Sequence, residues 1–228
     1  MHGLVFLQPD SAWHRLDEVD PQWPSSAALL QNGALDIVDA SGYFYVAHGA
    51  ATLETNHGTF RLATGMYGVA TNGRLTIDDG LLLLAARQGY RAPLLLGGPL
   101  EATGRLRYID GCTDTLLLAP WRKGDPCFNH LHIPAGTSQS SHVHPSLRIG
   151  IIAKGSGVCR TPQGESPLRP GTAFVLAPQQ VHCFITHDAS LDVVVFHPDS
   201  DTGPTDEDHP MLNRTWRTWR TTTEPSAC

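Results

Sequence analysis

Two histidines, His142 and His144, and a third, His182, are the residues of this 228-residue chain best placed for chemistry. In an extended segment, residues i and i+2 point to the same side, so both imidazoles of the H-x-H pair can aim at one point. His182 follows a turn containing Pro178 and opens a run of β-forming residues, Cys183, Phe184 and Ile185. If the fold lays the two segments side by side, three imidazoles converge. A three-His set with open positions suits Zn, Fe(II), Mn, Ni or Cu(II). An H-x-H pair alone is more often a surface feature; the third histidine makes a metal centre the expectation. His130 and His132 repeat the spacing on the run before, opposite Asn129, Leu131 and Ile133. They are expected to act behind the ligands, as hydrogen-bond donors or proton carriers.

The elements that must position these groups are short strands. The chain holds 22 Gly and 17 Pro, and only 17% of it is charged, which favours many turns and a β-rich fold. Strand-like runs recur at 42–47, 51–54, 59–62, 68–70, 81–85, 115–118, 130–133, 149–153, 157–161, 173–176, 183–186 and 192–197. Even spacing of this kind suggests a sandwich or barrel. One segment, Ser25 to Gln31, reads as a helical turn or two.

Composition excludes several functions. A net charge of −6 with 16 Lys+Arg argues against a general nucleic-acid binder. The longest apolar runs, 81–86 and 93–96, fall far short of the ~20 residues that span a bilayer. Residues 1–8 carry neither a basic start nor a small-residue cleavage site, so a cytoplasmic protein is expected. The five cysteines, Cys112, Cys127, Cys159, Cys183 and Cys228, form no CxxC pair. Zinc-finger and thioredoxin readings therefore fail, and reduced thiols are expected.

The chain also repeats itself. At an offset of 106 residues, Gly49 falls on Gly155, Gly58 on Gly164 and Gly65 on Gly171. Residues 43–49 then overlay 149–155, and 59–65 overlay 165–171. The seam lies near Gly97-Gly98-Pro99, which divides the chain into 1–98 and 99–228.

The second copy carries a recognisable pattern. Gly136-x5-His142-x-His144-x3-Arg148-x6-Gly155 resembles the first motif of the cupin superfamily, and Gly171-x5-Ala177-Pro178-Gln179-x2-His182 resembles the second. Ala177 stands where the family usually has Pro, and Gln179 where it usually has Gly. The resemblance implies an all-β fold of two tandem cupin (jelly-roll) barrels, a bicupin. Cupins usually add a Glu ligand after the H-x-H pair. Here Arg148 holds that position, and a guanidinium cannot ligate a cation. The implied centre is three histidines plus water or substrate, with Arg148 forking onto a carboxylate. The stretch 142–148 also resembles gentisate- and salicylate-type ring-cleaving dioxygenases. It implies Fe(II) and dioxygenation of a small anionic, aromatic or enolisable substrate. Homodimers are frequent among cupins.

In the first copy the 106-residue offset sets Asp36, Val38, Gly42 and Thr76 where the second has His142, His144, Arg148 and His182. A degenerate barrel without metal ligands is expected there. Two further functions fit the chain. One is a non-redox isomerase, dehydratase or cyclase using Zn, Mn or Ni as Lewis acid; the other is a regulatory small-molecule binder. Five carboxylates lie between Asp199 and Asp208 without calcium-loop spacing. An ordered loop over the barrel mouth or at a dimer contact is expected there. Trp216 to Arg220 reads as packing or a loose terminus.

Overall fold

A computed structural model describes residues 3–16, 24–213 and 215. Sixteen strands account for nearly all of its regular structure. The first unit contains β2 (His14–Arg15), β3 (Ser25–Leu30), β4 (Gly33–Thr55), β5 (Gly58–Ala63), β6 (Tyr67–Gln88) and β7 (Leu95–Gly97). They form one sheet in the order β2-β3-β6-β4-β5, with β7 on the edge of β6. The second unit contains β8 (Leu106–Arg107), β9 (Thr113–Leu118), β10 (Cys127–Ile133), β11 (Arg148–Gly155), β12 (Gly157–Thr161), β13 (Gly164–Leu168), β14 (Ala173–Leu176), β15 (Cys183–Ile185) and β16 (Leu191–His197). Its main sheet runs β1 (Leu4–Phe6)-β14-β11-β16-β10-β9-β8, and β13-β12-β15 form a smaller one. The edge strand β1 comes from the start of the chain and so crosses over to the second unit.

The 106-residue repeat holds pair by pair. Tyr43↔Val69 is matched by Ile149↔Val175, and Leu53↔Phe60 by Cys159↔Ser166. Gly49 and Gly155, like Gly65 and Gly171, take the same left-handed backbone, with φ of 81° and 77°, then 86° and 86°. A side chain is strained in that conformation, which is why these turns are legible in the sequence.

Outside this frame the two units differ in length. The row Ala28–Leu84–Phe44–Gly68–Leu96 corresponds to Asn129–Val195–Gly150–Phe174–Phe6. Ala28 to Phe44 is 16 residues, whereas Asn129 to Gly150 is 21; Gly68 to Leu84 is 16, whereas Phe174 to Val195 is 21. The second unit thus carries five extra residues in each of two places. The first insertion region holds His142 and His144, and the second holds His182.

Ser25–Leu30 is a strand, not the helical turn its Ala and Leu content suggests, and every residue in it is buried. Ala27 and Leu29 face an apolar layer between the units, whereas Ala28 and Leu30 face the first barrel. With both faces covered, the alternation that marks a strand vanishes. Tyr43 anchors the shared layer, its ring 5.0 Å from Phe196 and 6.2 Å from Phe128. Among the described residues, no helix is long and apolar enough to cross a membrane.

Candidate metal centre

His142 and His182 face each other as an isolated antiparallel bridge, each donating its backbone N–H to the other's carbonyl at 3.0 Å. His144 lies two residues on, in a loop rather than in a strand, with Val143 turned outward. The three rings gather with centroids 4.5 to 5.1 Å apart. One ligand atom from each lies within 4.8 Å of the others.

Proton placement follows from the partners. His142 Nδ1 is 2.8 Å from the Ser140 carbonyl, and His182 Nδ1 is 2.9 Å from the Gln180 carbonyl. A carbonyl can only accept, so Nδ1–H donates, which leaves Nε2 as the atom of each ring that can ligate a metal. Burial, with Arg148 and the other two histidines adding to it, pushes His144 down to about 3. Burial, with His142 and Arg148 adding to it, brings His182 to about 4. Neutral imidazoles are the state a divalent cation needs, so the donor set fits a transition metal.

The histidines open into a cavity of about 450 Å³ inside the second barrel. Arg148 lines it, only 4% exposed. Its Nη1 donates to Leu147 O at 2.9 Å, Ser146 Oγ at 2.7 Å and Ser146 O at 3.2 Å. Its Nε is buried without a partner. Burial lowers its pKa, and the nearby Asp199 and Asp201 offset part of that cost. The cavity therefore holds a desolvated cation with donor capacity to spare.

Comparison with known proteins places the architecture. Residues 132–202, which include the three histidines and Arg148, match the family model of the AraC-like ligand binding domain. No curated protein matches the chain. A cupin 2 conserved barrel protein from Leptotrichia buccalis superposes with a TM-score of 0.60 at 16% identity, covering 82% of this chain and 88% of its own. The chain has a cupin fold. Protein Ylba from E. coli gives 0.59 at 16% identity, with coverages of 88% and 93%. A salicylate 1,2-dioxygenase from Pseudaminobacter salicylatoxidans gives 0.56 at 11%, covering 77% of this chain and 71% of that chain.

The two departures from the cupin motif have local explanations. Gln179 takes φ 58°, the left-handed conformation glycine adopts freely, and its N–H donates to the His144 carbonyl at 2.8 Å. Ala177 is buried, and its N–H reaches Gly3 O at 3.0 Å. A proline there would lose that bond.

His130 and His132 are not behind the ligands. Leu131 and Ile133 on the same strand belong to the second barrel's core, so the two histidines face the other way. Both bond one oxygen of Asp192 at 2.8 Å. Strand alternation separates two faces; the tertiary pairing alone sets which of them turns inward. Conversely, His197, without a partner pattern in the sequence, lines the cavity with its ring 6.5 Å from His144. Asp114 and Asn129 line it too. The only sequence signal for either was a polar residue at an inward position of a strand.

The acidic segment folds over the mouth. Ser200, Asp201 and Thr202 line the cavity, Ser146 Oγ donates to Asp199, and Arg122 reaches Asp206 at 3.2 Å. Cys112, Cys127, Cys159 and Cys183 are buried free thiols. Cys228 and the Trp216–Arg220 tail lie outside the described residues.

Proposed function

We propose that this cupin is a bicupin enzyme, a mononuclear non-haem Fe(II) dioxygenase acting on a small anionic, aromatic or enolisable substrate. Its metal ligands are His142, His144 and His182, and its first unit is a closed barrel without a metal. The observation that carries the reading is one cavity holding three converging imidazoles beside a buried guanidinium whose Nε has no partner. Fe(II) bound there would supply the redox chemistry that O2 requires. The chain's own groups do the rest. Arg148 receives the carboxylate or enolate, in a site dry enough to strengthen each charge-assisted bond. Leu131, Phe174 and Val195 keep the walls apolar, and the 199–202 segment restricts water at the mouth.

Anaerobic reconstitution with Fe(II), followed by O2-uptake measurements with hydroxybenzoates and β-diketones, tests this. Uptake should require iron and vanish in His142→Ala. Absence of uptake with every substrate class sinks the dioxygenase reading. Zinc or nickel at one per chain in protein purified without added metal would favour Lewis-acid chemistry instead. The AraC-type match favours a second reading, a small-molecule sensor; it predicts ligand-induced stabilisation without product.

A further inference from the structure

The sheet that carries Arg148 also carries, on β9 and β10, a second polar feature that the proposed reaction does not use. In the β9–β10 ladder Asn129 pairs with Leu116 and Leu131 with Asp114. The four side chains share one face, and all four line the cavity. Asn129 is 8% exposed. Its Nδ2 donates to both oxygens of Asp114, at 3.0 and 3.3 Å. An ionised carboxylate only accepts, so this contact sets the amide and turns Oδ1 the other way. That Oδ1 is buried and has no partner. Asp114 itself is held by these amide bonds rather than by a cation. Burial raises its pKa to about 6, against the lowering effect of the Asn129 bond and of His130. A buried acceptor left bare, next to the half-buried carboxylate of Asp114, is costly unless something donates to it.

We propose that Asp114 and Asn129 form a second recognition point, for the N–H-bearing end of a substrate whose other end is the anion at Arg148: an amino or amidino carboxylate. An ammonium or amidinium offers several N–H groups at once, enough for the Asn129 oxygen and the Asp114 carboxylate together. Its charge also answers that of Asp114, which a hydroxyl group would not. Arg148 and Asn129 stand on β11 and β10 with β16 between them. Asn129 is level with Gly150, two residues along β11 from Arg148; at about 4.8 Å per strand and about 3.4 Å per residue, their backbones are roughly 12 Å apart. Both side chains reach inward, so the molecule that bridges them is small. The anionic end rests on the function proposed above; the donor end rests on Asp114 and Asn129 alone.

The test is calorimetric titration of the full-length chain with ω-amino carboxylates from glycine to 6-aminohexanoate. Each is compared with the unsubstituted carboxylate of equal length, and butylammonium is titrated by itself. At one length or more, the amino compound should bind about tenfold tighter than its counterpart. The near-isosteric Asn129→Leu and Asp114→Asn should each abolish most of that preference and leave binding of the plain carboxylate unchanged. Both should weaken butylammonium, which Arg148→Met should still bind. Circular dichroism melts confirm that the variants fold. A preference absent at every length, or kept in both variants, overturns the proposal. If Arg148→Met instead keeps full carboxylate affinity, the anion reading fails, and butylammonium binding decides the Asp114–Asn129 point on its own.

Discussion

Phe44 and Gly150 occupy the same place in the two units, and so do Gly68 and Phe174. Each pair of neighbouring central strands thus carries one phenylalanine facing one glycine, in opposite order. A Cβ on Gly68 would meet the Phe44 ring at 2.6 Å, and one on Gly150 would meet the Phe174 ring at 2.5 Å. The next inward row differs more. The second unit places Arg148, Leu176 and His197 where the first has Gly42, Ala70 and Ala86. In the first unit Ile37 fills the space, with its Cδ1 2.5 Å from a Cβ at Gly42. The cross-strand bridge differs as well. His142 faces His182 in one unit, and Asp36 faces Arg74 in the other. That register makes Arg74, not Thr76, the counterpart of His182. One frame therefore supports a packed interior and a hollow one, and the choice lies in a few inward side chains and two five-residue lengthenings.

Transplanting the cation is the harshest way to break this comparison. Gly42→Arg puts a charge into filled apolar space and should cost at least about 4 kcal/mol. Denaturant unfolding, or loss of soluble protein, would show it. A Gly42→Arg chain as stable as the parent would mean that the first barrel is not closed.

Truncating the cores comes next. Phe44→Ala opens a void in a filled interior and should cost about 3–5 kcal/mol. Leu131→Ala, on a wall that already borders a cavity, should cost about 2 kcal/mol or less. Equal losses in urea unfolding would erase the distinction between the interiors.

Acid should act on the second unit. His144, at about 3, and His182, at about 4, stay neutral in the fold while the unfolded chain takes up protons near 6.5. Their folded pKa is depressed, so stability falls as pH drops from 6.5 towards 4. His197, pushed down by burial and by Arg148, adds to this. Asp114 opposes it, because a carboxylate raised to about 6 regains stability as it protonates. The imidazoles outnumber it, so the metal-free chain should lose roughly 2–3 kcal/mol between pH 7.5 and 5. Amide exchange followed across that range should show the loss in residues 113–197 first. Loss confined to the first unit would contradict the assignment.

The smallest effect belongs to the first unit's bridge. Arg74 and Asp36 are half-exposed, 2.7 Å apart, and such pairs contribute about 0–1 kcal/mol. Asp36→Ala should stay within that range in a thermal melt and leave metal content untouched by elemental analysis.

Turns and spacings were readable because their causes are local. Glycines at positive φ mark the repeat, and the H-x-H and His182 segments lie at motif distance from them. Which face of a strand turns inward, by contrast, has no local cause. Ser25–Leu30 looks helical because both its sides are buried, and His130 and His132 look like partners of the site because alternation names two faces without saying which is inside. Asp114 was invisible for the same reason, since only the β9–β10 register brings it beside Asn129.

By itself, then, the amino-acid sequence determined an all-β chain, its internal repeat, its three candidate metal ligands and the arginine beside them. All of these follow from backbone preferences and from spacings that can be counted along the chain. Tertiary structure decided which unit is hollow, which histidines share the cavity and which acceptors line it with Arg148. Those outcomes depend on pairing between strands far apart in the chain, where a one-residue change of register exchanges core for surface.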